Sequence, residues 1–515
     1  MTAGANVVKM KKLENDDYNG SEIASEEEAH TEEPVSQEEL KVQELGRIDP
    51  IDEGPPDVVV PPHPQAGANE PPQERRGSLQ TLTWTNRKTY NIDGSCSAYQ
   101  LAGGTFIKMS KEGNMLILQL PTSRAPVYQA ITHCNLNAKI CGYASDASQN
   151  LLVLSGCDYR SAWITMYSPT SSRPAPHPEA TRQNLHVRPG FHTHMGYPDD
   201  PYDYTVKIAG DLVGMLIYSP GKLLSRLLVW NWKIGTLVGD TLGPQDSSFI
   251  TACEFSFVSP TLFHVTTPAS RGVGSIDLYS INPRSSHIRT GFTHLASLLL
   301  PPVKCGVTIV SVKCTIASLQ ASGSPNPSGS SQLSVLQIKY ATHCGLFDSE
   351  QFQLVVPTSV FIEYWKESQS GKFELPITAQ WDVWGPSETR WIPRPTFPPS
   401  PNPWTRHLRG QRVLSLPAEG PGIEVLDFDF DPNSPPVNLD PSLQQTICID
   451  PTVIQAGDVF EKDVVSSLPY IKTSRPGALD EDFAGYIIDE EQIIAISVEG
   501  SGSDERISKL TTLTF

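Results

Sequence analysis

The sequence predicts an all-β protein, read as a β-propeller of roughly seven or eight blades behind a disordered acidic tail. Three observations predict it. First, short runs rich in β-branched and aromatic residues, set off by Gly, Pro, Ser and Asp, recur along most of the chain. Second, one run is apolar on both faces. In Leu227-Leu228-Val229-Trp230-Asn231-Trp232, alternation puts Leu227, Val229 and Asn231 on one side and Leu228, Trp230 and Trp232 on the other. A sheet with one wet face would alternate apolar with polar residues. A strand buried on both sides, in a chain with little helical periodicity, belongs to sheets stacked on sheets. Third, similar strands recur: Ile117 aligns with Met166, and Val229 with Leu278, each pair 49 residues apart. A four-stranded blade occupies roughly 40–50 residues.

Composition agrees. The 515 residues include 45 Pro and 37 Gly, a density that opposes long helices and favours loops. The net charge of −18 disfavours nucleic acid or an anionic membrane as a partner. The nine cysteines are scattered, without a Cys-x-x-Cys pair, which reads as free thiols in a reducing compartment. No apolar run reaches the roughly 18 residues of a membrane helix, and the N-terminus lacks the apolar core of a signal peptide. These features predict a cytoplasmic chain. Lys9-Met10-Lys11-Lys12 is a short candidate for nuclear targeting.

The chain divides into a tail, 1–78, and a β-rich domain, 79–515. The tail has no Trp or Phe, and sets seven basic side chains against 18 acidic ones, a net −11. Such a segment buries too little apolar surface to offset its ordering entropy. Within it, Ser36-Gln37-Glu38-Glu39 before Leu40 resembles a capping box.

Strands are then expected at Leu79–Trp84, Thr105–Ser110 and Met115–Leu120, the last two joined by a hairpin turn ending in Gly113-Asn114. Others are expected at Ala138–Ala144, Leu151–Leu154, Ala162–Tyr167, Leu212–Tyr218, Leu227–Trp232, Phe249–Val258, Thr261–Thr267 and Ser275–Ile281. In the second half they fall at Val307–Ile316, Leu333–Tyr340, Phe352–Val356, Val360–Trp365, Ala484–Ile488, Ile493–Val498 and Leu510–Phe515. The polar stretch Ser168–Pro201 reads as a mobile insertion without a tightly bound metal. Because an open ring leaves exposed ladders, the first strand, near Leu79–Trp84, is expected to close the ring on the last, near Leu510–Phe515.

The Val229-Trp230-Asn231-Trp232 run with Gly235 behind it resembles a WD-repeat blade, with Asn231-Trp232 in place of the usual Trp-Asp ending. A wider set of pieces resembles the C-terminal β-rich region of fungal F-box proteins. The pieces are Gly210-Asp211-Leu212-Val213-Gly214, Leu228-Val229-Trp230-Asn231-Trp232-Lys233, Trp384-Gly385-Pro386 with Thr389-Arg390-Trp391, Gly410-Gln411-Arg412, and Tyr486-Ile487-Ile488-Asp489-Glu490-Glu491. The resemblance covers roughly residues 80 to 515 and implies a partner-binding region of a ubiquitin-ligase adaptor. Residues 1–78 hold no Leu-rich helices of the F-box kind. The expectation is therefore a free-standing, non-enzymatic interaction module with a protein partner, which does not bind the ligase adaptor subunit directly. A propeller enzyme of the glycoside hydrolase type and a carbohydrate-binding module are the alternatives.

Candidate chemistry is sparse, and no cofactor is expected. His192 and His194, with His186, Asp199 and Asp200 nearby, have the residue types of a metal site, but a solvated loop is the simpler account. His133-Cys134 and His343-Cys344 pair nucleophile with base only in sequence, since neighbours on a strand face opposite ways. Asp480-Glu481-Asp482 and Asp489-Glu490-Glu491 offer carboxylates for glycoside chemistry, and read more simply as surface turns. Trp381, Trp384 and Trp391 are candidate binding aromatics, with core packing as the commoner fate of such residues. Ser78, behind Arg75-Arg76, and Ser25 and Ser36, before acids, are candidate phosphorylation sites. An enzyme would show acids converging at a channel mouth. A binding module would show an exposed apolar patch instead.

Overall fold

The β-branched and aromatic runs form strands that hydrogen-bond in sequential antiparallel meanders. A computed structural model describes them over residues 82–515 outside a set of inter-strand loops, the longest being 188–202, 317–331, 394–407 and 430–442. Strand β1 (Asn86–Asn91) comes first and is set aside from its sequence neighbours. Blade 1 is β2 (Ala98–Ala102), β3 (Thr105–Met109), β4 (Met115–Gln119) and β5 (Gln129–His133). Blade 2 is β6 (Ile140–Asp146), β7 (Leu151–Cys157), β8 (Ala162–Tyr167) and β9 (Asn184–Val187). Blade 3 is β10 (Asp203–Ala209), β11 (Leu212–Ser219), β12 (Leu224–Asn231) and β13 (Thr236–Asp240). Blade 4 is β14 (Glu254–Ser259), β15 (Leu262–Thr267), β16 (Ser275–Ile281) and β17 (Phe292–Leu299).

Blade 5 opens with β18 (Val307–Ile316), β19 (Leu333–Thr342) and β20 (Ser349–Pro357). The chain then leaves the sheet through α1 (Thr358–Gln369), β21 (Ile377–Ala379) and α2 (Trp381–Glu388), and β22 (Arg390–Pro393) completes the blade. Blade 6 is β23 (Leu408–Arg409), β24 (Arg412–Ser415) and β25 (Gly422–Asp427). A second excursion follows, β26 (Gln444–Cys448), β27 (Thr452–Ile454) and β28 (Val464–Ser466), before β29 (Tyr470–Pro476). Blade 7 is β30 (Gly485–Ile488), β31 (Gln492–Glu499) and β32 (Arg506–Thr514), with β1 as its fourth strand.

The described residues thus form a seven-bladed β-propeller. The first strands of consecutive blades approach one another, β2 to β6, β6 to β10, β10 to β14 and β14 to β18, and therefore line the centre of the ring. The core is divided in the same way. Seven hydrophobic clusters each fill one interface between adjacent blades, the last between blades 7 and 1. This is the packing expected of sheets that are apolar on both faces. In β12, Leu228 and Trp230 pack toward blade 2, with Trp232 just beyond the strand, while Leu227 and Val229 pack toward blade 4. The repeat read from the sequence is in true register, because Ile117, Met166, Val229 and Leu278 all sit on third strands.

Three expectations are corrected. Ring closure is present, but its strand is Asn86–Asn91, paired from Asn86↔Thr514 to Asn91↔Lys509; of the expected Leu79–Trp84, residues 82–84 lie before that strand. Leu82 is instead buried between blades 6 and 7, and Arg475 lies over the Trp84 ring at 4.4 Å. Val360–Trp365 is helical, within α1. Its β-branched and aromatic content suggested a strand, yet Val360, Phe361 and Ser368 are buried while Glu363, Lys366 and Glu367 face solvent, a helical stripe. Finally, Ser168–Pro201 is not wholly an insertion. Its residues 184–187 are β9, the fourth strand of blade 2. His177 is buried edge-on to Trp232 at 4.9 Å, and an imidazole nitrogen lies 2.9 Å from the Gln149 carbonyl.

Candidate binding face on an accessory layer

Two places concentrate chemistry: the centre of the ring and the two excursions. At the centre, first strands bring together Lys207 of β10, Glu254 of β14 and Lys313 of β18. Glu254 is buried, and desolvation raises its carboxyl, opposed by the charges of Lys207 and Lys313. Lys207 Nζ donates to the Cys314 carbonyl at 3.2 Å. One acid between two lysines is not the carboxylate pair that glycoside hydrolysis requires. Beside it, Cys314 Sγ lies 3.8 Å from His264 Nε2 and 3.3 Å from Ser334 Oγ. Burial pushes the thiol up to about 12 and the imidazole down to about 3. A neutral thiol against a neutral imidazole is the reverse of an activated nucleophile. The pair comes from strands 50 residues apart, so no sequence spacing announces it.

The excursions form one layer over blades 4, 5 and 6. Strand β21 adds to the outer edge of blade 4, in parallel with β17 through Ala296↔Ile377 and Leu298↔Ala379. Helix α2 is pinned by Trp384, whose indole N–H donates to the Leu299 carbonyl at 2.9 Å. Gly385 is required here, because a Cβ would lie 2.3 Å from the Trp381 ring. The hairpin β27–β28 docks on the same helix. Ser467 N–H donates to the Pro386 carbonyl at 2.8 Å, and Leu468 N–H to the Thr389 carbonyl at 3.0 Å. Ser466 Oγ accepts from the Trp391 backbone N–H at 2.9 Å. Val303, between blades 4 and 5, bridges to Phe460 beyond β27. Outermost on blade 6, β26 pairs with β29.

This layer carries most of the exposed large hydrophobic side chains among the described residues. Of eleven exposed large hydrophobic residues among those described, eight lie on it: Trp365, Phe373, Leu375, Val383, Ile447, Ile449, Val453 and Val465. Val383 is 70% exposed, although Trp381 and Trp384 on the same helix are buried. Val453 and Val465 are direct cross-strand partners and so stand on one side of the hairpin. The charge is one-sided as well. Residues 358–389 and 444–468 expose nine acids, Glu363 and Asp458 among them, and three lysines, Lys366, Lys372 and Lys462. Between blade 5 and the hairpin opens a cleft of about 320 Å³, lined by Glu350, Phe352, Ile454, Gln455, Asp458, Val459 and Phe460.

The expected site residues distribute as follows. Trp381, Trp384 and Trp391 are brought together, with Trp381 5.2 Å from Trp384 and 5.9 Å from Trp391, ring to ring. They are buried, so the platform reading is corrected to core packing: they fasten the layer rather than offer it to a ligand. Asp489 accepts from Gly104 N–H across the blade 7–blade 1 interface, a structural role. His186 is exposed on β9, while His192, His194, Asp199 and Asp200 lie outside the described residues. So do Ser25, Ser36, Ser78, Cys134, His343, Cys344, Asp480, Glu481, Asp482, Glu490 and Glu491. Among the described residues no group of His, Cys, Asp and Glu is placed to hold a metal, and no helix is long and apolar enough to cross a membrane.

The exposed residues of the layer were not singled out from the sequence. A usable signal was present: Val383 falls off the face defined by Trp381 and Trp384, and Gln444–Ile449 mixes exposed polar and apolar residues at an edge. Conversely, the pieces that carry the family resemblance are mostly turns and packing. Gly210 and Gly410 turn with positive φ. The Trp232 indole donates to the Gly210 carbonyl at 3.1 Å, Lys233 pairs with Asp211 at 3.1 Å, and Arg412 with Asp427 at 2.9 Å.

No protein-family model matches the chain, and no curated protein does. Among solved structures, the Dos1 propeller is similar at 8% identity and a TM-score of 0.34, over 83% of this chain and 78% of that one. Saccharomyces cerevisiae Sqt1 is similar at 9% identity and a TM-score of 0.32, over 83% and 84%. Drosophila Semaphorin 1b, extracellular domains 1–2, is similar at 9% identity and a TM-score of 0.34, over 83% and 86%.

Proposed function

We propose that this chain is a non-enzymatic protein-interaction module whose binding face is the accessory layer over blades 4 to 6. One observation carries the reading: eight of the eleven exposed large hydrophobic residues described lie on the two excursions rather than on the blades. Exposed apolar residues gathered on one part of a surface mark interaction sites. The ring holds the face rigid, since the buried indoles of Trp381, Trp384 and Trp391 tie the excursions to blades 4 and 5. The test is affinity capture with mass spectrometry, comparing the parent chain with a Val383→Asp, Val453→Asp variant. Both positions are solvent-facing, so folding should persist. Proteins that bind the parent, fail to bind the variant, and repeat this when purified would support the reading. Identical capture by both chains would contradict it.

The family resemblance supports a finer reading, in which the face holds a protein in the manner of the substrate-binding region of F-box ubiquitin-ligase adaptors. In this reading the chain acts without binding the adaptor subunit itself. Mixing the purified chain with that subunit should give no complex. A stable complex that depends on residues 1–78 would restore direct ligase attachment.

A further inference from the structure

We propose that the cleft between β20 and the β27–β28 hairpin receives an arginine or lysine side chain carried on an otherwise apolar segment of the partner. The proposal rests on the accessory layer being the binding face. The shape of the cleft comes first. At about 320 Å³ it is at the small end of ligand pockets, and suits one extended side chain better than a cofactor. Its floor is apolar: Phe352, Val459 and Phe460 are buried, and the rings of Phe352 and Phe460 stand 5.3 Å apart. Two carboxylates line it, Glu350 on β20 and Asp458 on the connection between β27 and β28, both solvent-facing. Gln455 adds an amide, and no basic residue lines the cleft. A long methylene stem against aromatic rings with a cationic head at carboxylates is the arrangement that lysine and arginine adopt at polar margins.

The surroundings decide between a free amine and a protein segment. Ile454 forms one wall of the cleft, and exposed Val453 and Val465 stand on the opposite, outward face of the same hairpin. Exposed Ile447 and Ile449 stand at and just beyond the end of β26, immediately before the hairpin in sequence. A small cation would leave these residues in water. A segment that sets its basic side chain in the cleft and runs on over the edge of the hairpin would cover Val453 and Val465. The acidic excess of the layer, nine exposed acids against three lysines, favours the same ligand and speeds its approach at low salt.

The experiment pans a phage-displayed library of short random peptides against the full-length chain, then measures a synthetic peptide of the enriched consensus. Two variants are compared, Glu350→Gln with Asp458→Asn, and Val453→Ser with Val465→Ser. Thermal melting checks that each folds like the parent. The expected result is a consensus with an Arg or Lys among aliphatic residues. Its affinity should fall about tenfold or more, ~1.4 kcal/mol, in the Gln/Asn variant, and fall also in the serine variant and at high salt. Enriched peptides without a basic residue, weakened only by the serine variant, would overturn the cation assignment and leave the binding face standing. No enrichment, or binding indifferent to both variants, would overturn both.

Discussion

Thr89 and Thr511 stand 422 positions apart in the chain, yet their hydroxyls meet at 3.0 Å. They are register partners in the pairing of β1 with β32, and that pairing closes the ring. The seven inter-blade clusters become a continuous core only through it, because the cluster between blades 7 and 1 includes Tyr90 on β1 together with Leu510 on β32.

Closure therefore depends on a short N-terminal strand. Removing residues 1–80 should leave the melting temperature nearly unchanged, since the charged tail adds little apolar burial. Removing residues 1–92 should give insoluble or protease-sensitive protein, because β32 becomes an exposed edge. Solubility and a melting curve check both. A soluble 1–92 deletion that melts like the parent would rule out closure by β1.

Trp230 lies on the apolar face between blades 2 and 3, 2% exposed. Trp230→Ala should cost about 3–5 kcal/mol, measured by denaturant unfolding. A shift within about 0.5 kcal/mol, as for surface substitutions, would contradict inter-blade packing.

Gly385 allows α2 to fold against its own tryptophan. With a Cβ 2.3 Å from the Trp381 ring, Gly385→Ala should overpack the site and cost about 1–3 kcal/mol. Trp381 is confined on its other sides by Trp384 and Trp391, so it has little room to yield. Equal thermal stability of variant and parent would show that the layer is looser than its geometry implies.

His264 sets a pH dependence. Its imidazole is buried beside Cys314 and Phe361, and desolvation, then the charge of Lys207, lowers it to about 3. The unfolded chain takes up this proton near the ordinary value of about 6.5, and the folded chain does so only near 3. The stabilisation is complete above the unfolded value and is lost as pH falls through that window. The slope approaches about 1.4 kcal/mol per pH unit from this group. Unfolding free energies measured from pH 7 to 4 should show it, and His264→Leu should flatten the profile by that amount. An unchanged slope in the variant would mean that the imidazole takes up its proton in the fold over the same pH range as in the unfolded chain.

Glu254 works in the opposite sense. Burial first raises its carboxyl, so its stabilising contribution is present at low pH and declines as pH rises through the folded value. Glu254→Gln should stabilise the protein more at pH 8 than at pH 5, read as the difference in melting temperature from the parent. A variant that gains nothing at pH 8 would show that Lys207 and Lys313 compensate the charge fully.

What the sequence determined by itself is the local and periodic part of this protein. Two-sided apolarity in Leu227–Trp232 was enough to predict blades, because a period of two leaves only one way for both faces to be buried. The equivalence of Ile117, Met166, Val229 and Leu278 was legible for the same reason. Positions with the same packing partners keep the same spacing. Tertiary structure alone decided the rest. Val360–Trp365 has strand-forming residues, yet it is helical because the apolar cluster between blades 4 and 5 lies to one side of it and solvent to the other, which selects the stripe of Val360 and Phe361. Asn184–Val187 looked like loop because a fourth strand needs little apolar content when only Leu185 and Val187 face the core. The candidate site was the least legible. Val383, Val453 and Val465 were not singled out, and only the packing of the two excursions left them in water.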